Sequence, residues 1–144
     1  MACCTFFGHR DVTCDVKDKL YHVLKILVEK EGVETFLVGN QGGFDAVVRK
    51  MLMYLKEEYP HIKYSVVMAY VHTKNRFHID YSDTVFPEEL EEVFPKWAID
   101  KRNRYMISKS SFAVTYVQRS FGGAFKYKRL AEKKGLRVIN LAEV

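Results

Sequence analysis

Five short apolar runs alternate along this chain with segments whose apolar residues recur at helical spacing. The runs fall at Thr5 to Phe7, Thr35 to Val38, Ile62 to Val71, Phe112 to Val117 and Leu136 to Leu141. Between the first two, Val16, Leu20, Val23, Leu24, Leu27 and Val28 share one helix face. After the second, Phe44, Val47, Val48, Met51, Leu52 and Leu55 do the same. The third run does not alternate at its centre, Ser65-Val66-Val67-Met68-Ala69. That suits a parallel strand covered on both faces. The order β-α-β-α-β, then a loop with helices, then β-α-β, predicts an α/β class. The expected arrangement is a Rossmann-like, doubly wound, mainly parallel five-stranded sheet with helices on both faces.

The punctuation agrees. Asp15 is placed to cap the first helix, with Asp18 near its positive end. Gly32 stops that helix, Pro60 the second, and Gly135 the last, which runs through Lys134. Pro87 is placed to open a short acidic helix, Glu88 to Val93, and Trp97 to Ile107 has weak helical character. His72 to Thr84 is polar and aromatic without a period and reads as a long surface loop. With 144 residues, no internal repeat and no linker, residues 1–144 are expected to form one domain.

Composition narrows the function classes. No apolar run approaches the ~20 residues that cross a bilayer, so no membrane partner is expected. No basic-then-apolar leader opens the chain. Cys3, Cys4 and Cys14 are odd in number and bunched at one end, which is not a disulfide framework. A cytoplasmic location is the default expectation. No Cys/His spacing suits zinc, and neither a metal nor a cofactor is expected. The net charge of +5 and pI of about 9.0 fit an anionic partner. The cations are dispersed, and a long basic arm is absent.

Three strands run into glycine-bearing loops that precede helices: Gly8-His9-Arg10, Gly39-Asn40-Gln41-Gly42-Gly43, and Arg119-Ser120-Phe121-Gly122-Gly123. Free N–H groups at helix starts favour anions, and glycine lets a ligand approach the backbone. A single such loop is most simply a turn. Three on one edge of a parallel sheet point to a crevice beyond the strand ends. None matches G-x-G-x-x-G or G-x-x-x-x-G-K-[ST], which disfavours a standard dinucleotide site or P-loop ATPase.

"TFFGHR" at 5–10, "VGNQGGFDAVV" at 38–48, "RNRYMISKSSFAVTYV" at 102–117 and "FGGAFKYKRLAEKKGLRVINL" at 121–141 resemble the YpsA-like branch of the SLOG superfamily. That superfamily also holds the DprA DNA-processing proteins and the LOG phosphoribohydrolases. The resemblance implies a Rossmann-like fold with a crevice for nucleotides or nucleotide-derived signals. It places Gly8, His9 and Arg10 on a first ligand loop, and Gly39, Gly43 and Asp45 on a second, where Gly42 of the same glycine loop is also expected to bind. Arg102 and Asn103 match its R-N motif, and Gly122 and Gly123 its phosphate-facing pair. Two departures stand out. Ser110-Ser111 replaces a Ser/His-x-Asp pattern, and the hydrolase glutamates after G-G are missing, with no acid until Glu132.

The leading expectation is noncatalytic binding, by sensing or sequestration, of a nucleotide or nucleotide-derived signalling molecule. The alternative is an N-glycoside hydrolase of the phosphoribohydrolase kind, for which Asp45 is the one carboxylate placed to act. A further alternative is single-stranded nucleic-acid binding of DprA type, using Lys74, Arg76, Phe77, His78 and Tyr81. Aromatic side chains crowd the middle segment (Phe77, Tyr81, Phe86, Phe94, Trp97), which leaves room for a homodimer or higher homo-oligomer.

Overall fold

The structure is a computed structural model and describes residues 2–69, 84–90 and 95–144. The described elements follow the predicted alternation: β1 (Ala2–Gly8), α1 (Val16–Glu29), β2 (Val33–Val38), α2 (Gly42–Glu58), β3 (Lys63–Val67), β4 (Thr84–Val85), α3 (Pro95–Lys109), β5 (Phe112–Tyr116), α4 (Gly123–Lys133) and β6 (Arg137–Asn140). Short 3-10 turns at Glu88–Leu90 and Leu141–Glu143 complete them. All strand pairs are parallel, in the order β4-β3-β2-β1-β5-β6. The sheet is therefore Rossmann-like, with one strand more than the five expected. The extra strand is Thr84, the last residue of the expected loop, and Val85 after it. Thr84 pairs with Val66 and Val85 with Val67, and the Met68 N–H donates to the Val85 carbonyl at 2.8 Å. The turn after Pro87 is 3-10 rather than an acidic α-helix, and residues 91–94 lie outside the described ones.

Side chains that alternate along β1 feed two cores. Phe6 joins Leu20, Leu24, Leu52 and Leu55 on the α1–α2 side. Phe7 joins Met106, Ile107, Tyr127 and Ala131 on the α3–α4 side. This is period-2 geometry serving a sheet wrapped on both faces. The six predicted apolar positions of α1 are all buried. On α2, Phe44, Val48, Leu52 and Leu55 are buried, while Val47 and Met51 pack partly against them. Asp15 does occupy the α1 N-cap position, but its side chain caps no backbone N–H. It accepts instead from the Thr13 hydroxyl and pairs with Lys19 at 3.4 Å. No described helix is long and apolar enough to cross a membrane.

Candidate functional site at the strand-order reversal

From β1 the chain builds outward to β2, β3 and β4 on one side, and to β5 and β6 on the other. The reversal therefore lies between β1 and β5, where parallel α/β sheets open a crevice beyond their carboxyl ends. A cavity of about 350 Å³ sits there. Phe6 to Arg10 line it from β1 and its loop. Gln41 and Asp45 come from the start of α2, and Ile99, Arg102, Asn103 and Met106 from α3. Arg119, Gly122, Gly123, Ala124 and Tyr127 come from the β5–α4 connection and α4.

The helix starts that border this cavity are not equivalent. At α2 three of the amide hydrogens are already used. Gln41 N–H donates to Asp45 Oδ2 at 3.0 Å, Gly43 N–H to the Arg10 carbonyl at 3.0 Å, and Phe44 N–H to the His9 carbonyl at 3.3 Å. Asp45 also answers the positive end of that helix. A Cβ built on Gly43 would collide with the Arg10 carbonyl oxygen, so this glycine seats one loop on another rather than admitting a ligand. The start of α4 differs. No side chain caps it and no acid lies in its first turn. Gly122 has φ +93°, a conformation that glycine alone adopts readily, and a Cβ on Gly123 would meet nothing within 4 Å. The exposed Arg10 and Arg119 line the cavity with this helix start. Its N–H groups, uncapped by any described side chain, are suited to an anion.

Behind the opening lies a buried polar layer. Arg102 is 2% exposed. Its Nε donates to Asn103 Oδ1 at 2.7 Å, and Nη1 donates to Asn40 Oδ1 at 3.2 Å and the Val67 carbonyl at 3.1 Å. The guanidinium thus ties α3 to the ends of β2 and β3. Gly39 leaves room for it: a Cβ there would stand 2.8 Å from Arg102 Nη1 and 2.9 Å from Asp45 Oδ2. Burial pushes the Asp45 carboxyl up to about 6, against the Gln41 N–H, Arg102 and Arg49, which favour its charge. His9 is also buried. Its Nε2 accepts from the Gln118 N–H at 2.8 Å, so the neutral ring bridges the β1 and β5 loops. Burial, then Arg119, lower its pKa, while Asp11 pulls the other way. Tyr127 stacks on Phe7 at 5.5 Å between centroids and donates to Asp100 Oδ1 at 2.6 Å.

The raised Asp45 pKa fixes a sign. The folded state prefers the neutral carboxyl, so that contribution to stability is full below about pH 4 and lost as pH rises through 6. At pH 7.5 the ionised, desolvated carboxylate costs stability. Asp45→Asn keeps an oxygen for the Gln41 N–H and is expected to stabilise by about 1–2 kcal/mol at pH 7.5, less than the two-unit shift alone implies because Arg102 loses a counter-charge. The gain should shrink below pH 6. Paired melting curves at pH 5 and 7.5 check this, and a lower melting point for Asp45→Asn at pH 7.5 would contradict it.

Of the residues expected on ligand loops, Gly8, His9, Arg10, Asp45, Arg102, Asn103, Gly122 and Gly123 line the cavity together. Gly39, Gly42 and Gly43 do not; they provide clearance for its walls. The sequence reading did not assign Gln41, Arg119 and Tyr127 to the site. Arg119 and Gln41 were legible as members of the glycine loops, and Tyr127 as the residue four positions after Gly123. Lys74, Arg76, Phe77, His78 and Tyr81 lie outside the described residues. Among the described residues, no group of three His, Cys, Asp or Glu side chains could hold a metal ion.

Comparison with known proteins agrees with this architecture. A UPF0398 protein of Lysinibacillus sphaericus (strain C3-41) is 24% identical over 129 residues, covering 82% of this chain and 72% of its own length. Residues 4–137 match the profile of the YspA SLOG family, a span that runs from β1 into β6. The chain belongs to the YspA SLOG family.

Proposed function

We propose that this protein binds a nucleotide or nucleotide-derived signalling molecule at the β1–β5 reversal and leaves it intact. The observation that carries this reading is the uncapped, acid-free start of α4 facing a cavity that Arg10 and Arg119 also line. A phosphate there accepts from the backbone N–H groups of Gly123 and Ala124 and from a guanidinium fork. Asp45, deeper in the cavity, is suited to accept hydrogen bonds from ribose hydroxyls. The apolar flank of Phe7, Ile99 and Met106 suits a base or ribose face. The volume lies at the lower end of ligand pockets, roughly 300–1,000 Å³, which favours a ligand of mononucleotide size.

One observation speaks for the hydrolase reading: the Asp45 carboxyl, at about 6, titrates in the range useful to a general acid or base. Glycosidic cleavage normally uses two carboxylates, one on each side of the bond. Asp45 is the single carboxylate among the residues that line this cavity. The two readings separate cleanly in one experiment. The protein is incubated with nucleoside mono- and diphosphates, denatured, and the small molecules are chromatographed. Recovery of the bound nucleotide unchanged is expected. Release of free base and ribose phosphate would overturn the binding-only reading.

A further inference from the structure

The outer face of α4 carries a second feature, separate from the cavity at the sheet's reversal. A groove of about 740 Å³ runs between α3 and α4, lined by Arg104, Lys126, Lys128, Arg129 and Lys133, with Glu132 its one carboxylate. Some of this charge is answered. Asp100 pairs with Arg104 at 2.9 Å and Lys126 at 3.3 Å, and Glu132 pairs with Lys128 at 3.4 Å. Arg129 and Lys133 make no ion pair among the described residues, and both are exposed. Aromatic rings with a guanidinium group beside each lie on α4 and just before it. Arg129 lies 5.7 Å from the centroid of Phe125, and Arg119 lies 5.3 Å from that of Phe121. Phe121 is 67% exposed, the largest exposure among the described bulky apolar side chains.

We infer that the α3–α4 groove, with Phe125 in its lining and Phe121 two residues before the start of α4, is a docking surface for single-stranded nucleic acid. Unanswered cations in a row suit a phosphate backbone. An exposed ring with a guanidinium beside it suits an unpaired base, because every base offers a face for stacking. A duplex hides those faces, and a lipid surface has none. The eleven residues of α4 span about 16 Å, enough for two or three nucleotides beside the helix. Arg119, beside Phe121, also lines the ligand cavity, but Arg129, Lys133 and Phe121 do not, so substitutions at those three leave the cavity lining in place.

The test is fluorescence anisotropy of the full chain with a labelled 12-nucleotide oligo-dT, and with a mixed-sequence duplex of the same length, from 50 to 200 mM salt. The double variant Arg129→Glu/Lys133→Glu and the single variant Phe121→Ser are measured beside the parent, each with a melting curve. Co-sedimentation with phosphatidylserine vesicles forms a third arm. The parent should bind the single strand at least fivefold tighter than the duplex. The double charge reversal should weaken single-strand binding at least tenfold and flatten the logarithmic salt slope by about 1.4, two phosphate contacts at about 0.7 each. Phe121→Ser should weaken binding about threefold without changing that slope, while each variant melts like the parent. Equal or tighter binding to the duplex would overturn the proposal. So would vesicle binding without oligonucleotide binding, or a double variant that binds like the parent. Should the double variant melt early, Phe121→Ser decides alone.

Discussion

Arg102→Ala is expected to destabilise the protein by about 3–5 kcal/mol, the range for breaking a buried charged network by removing one partner. The side chain is buried and donates to acceptors on three separate segments: Asn40, Val67 and its neighbour Asn103. Truncation leaves those oxygens without their donor in a space that water reaches poorly. It also removes a positive charge that favours the ionised form of Asp45. Arg102→Lys should recover only part of the loss, because an ammonium cannot reproduce a planar fork that reaches separated acceptors. Urea unfolding followed by circular dichroism measures both variants. A loss under 1 kcal/mol for Arg102→Ala would show that the network does not hold α3 to the sheet.

Gly43→Ala should cost about 3 kcal/mol, the upper range for forcing an added group into a packed interior. The added methyl meets the Arg10 carbonyl oxygen, which is backbone and cannot swing aside like a side chain. Relief requires the β1–α1 loop to lift from α2, which breaks the Gly43 and Phe44 N–H bonds to Arg10 and His9. The substitution is conservative in size, so a variant that unfolds at the parent's urea midpoint would place those two loops farther apart than the structure has them.

Much of the fold was legible because periodicity is a local property. The apolar faces of α1 and α2, and Thr5, Leu37, Val67, Val114 and Val138 on five separate strands, follow from residue spacing. The two-residue β4 was not legible. Its strand character rests on pairing with Val66 and Val67 rather than on any pattern of its own. The site was legible as a set of loops but not in its division of labour. Gly42-Gly43 and Gly122-Gly123 both read as a glycine pair opening a helix. What separates them is tertiary: the carbonyls of His9 and Arg10 occupy the first helix start, and no side chain among the described residues caps the second. Arg102 was expected at the ligand site through the R-N motif, but its burial and its role in tying α3 to the sheet were not legible, because they depend on Asn40 and the end of β3. His9, expected on a ligand loop, lines the cavity as a neutral brace between loops.

The central claim is that the open start of α4 holds the anionic group of a nucleotide-derived ligand, and Gly123→Val tests it most directly. Gly123 has no positive φ, unlike Gly122, and its would-be Cβ points into open space. Valine there fits the backbone while filling the place where a phosphate would sit. The measurement is a calorimetric titration of parent and variant with the nucleotide that the parent retains, with a melting curve of each free protein. The account predicts melting temperatures that agree closely and binding at least tenfold weaker in the variant, about 1.4 kcal/mol. A variant that melts like the parent and binds like the parent would contradict it.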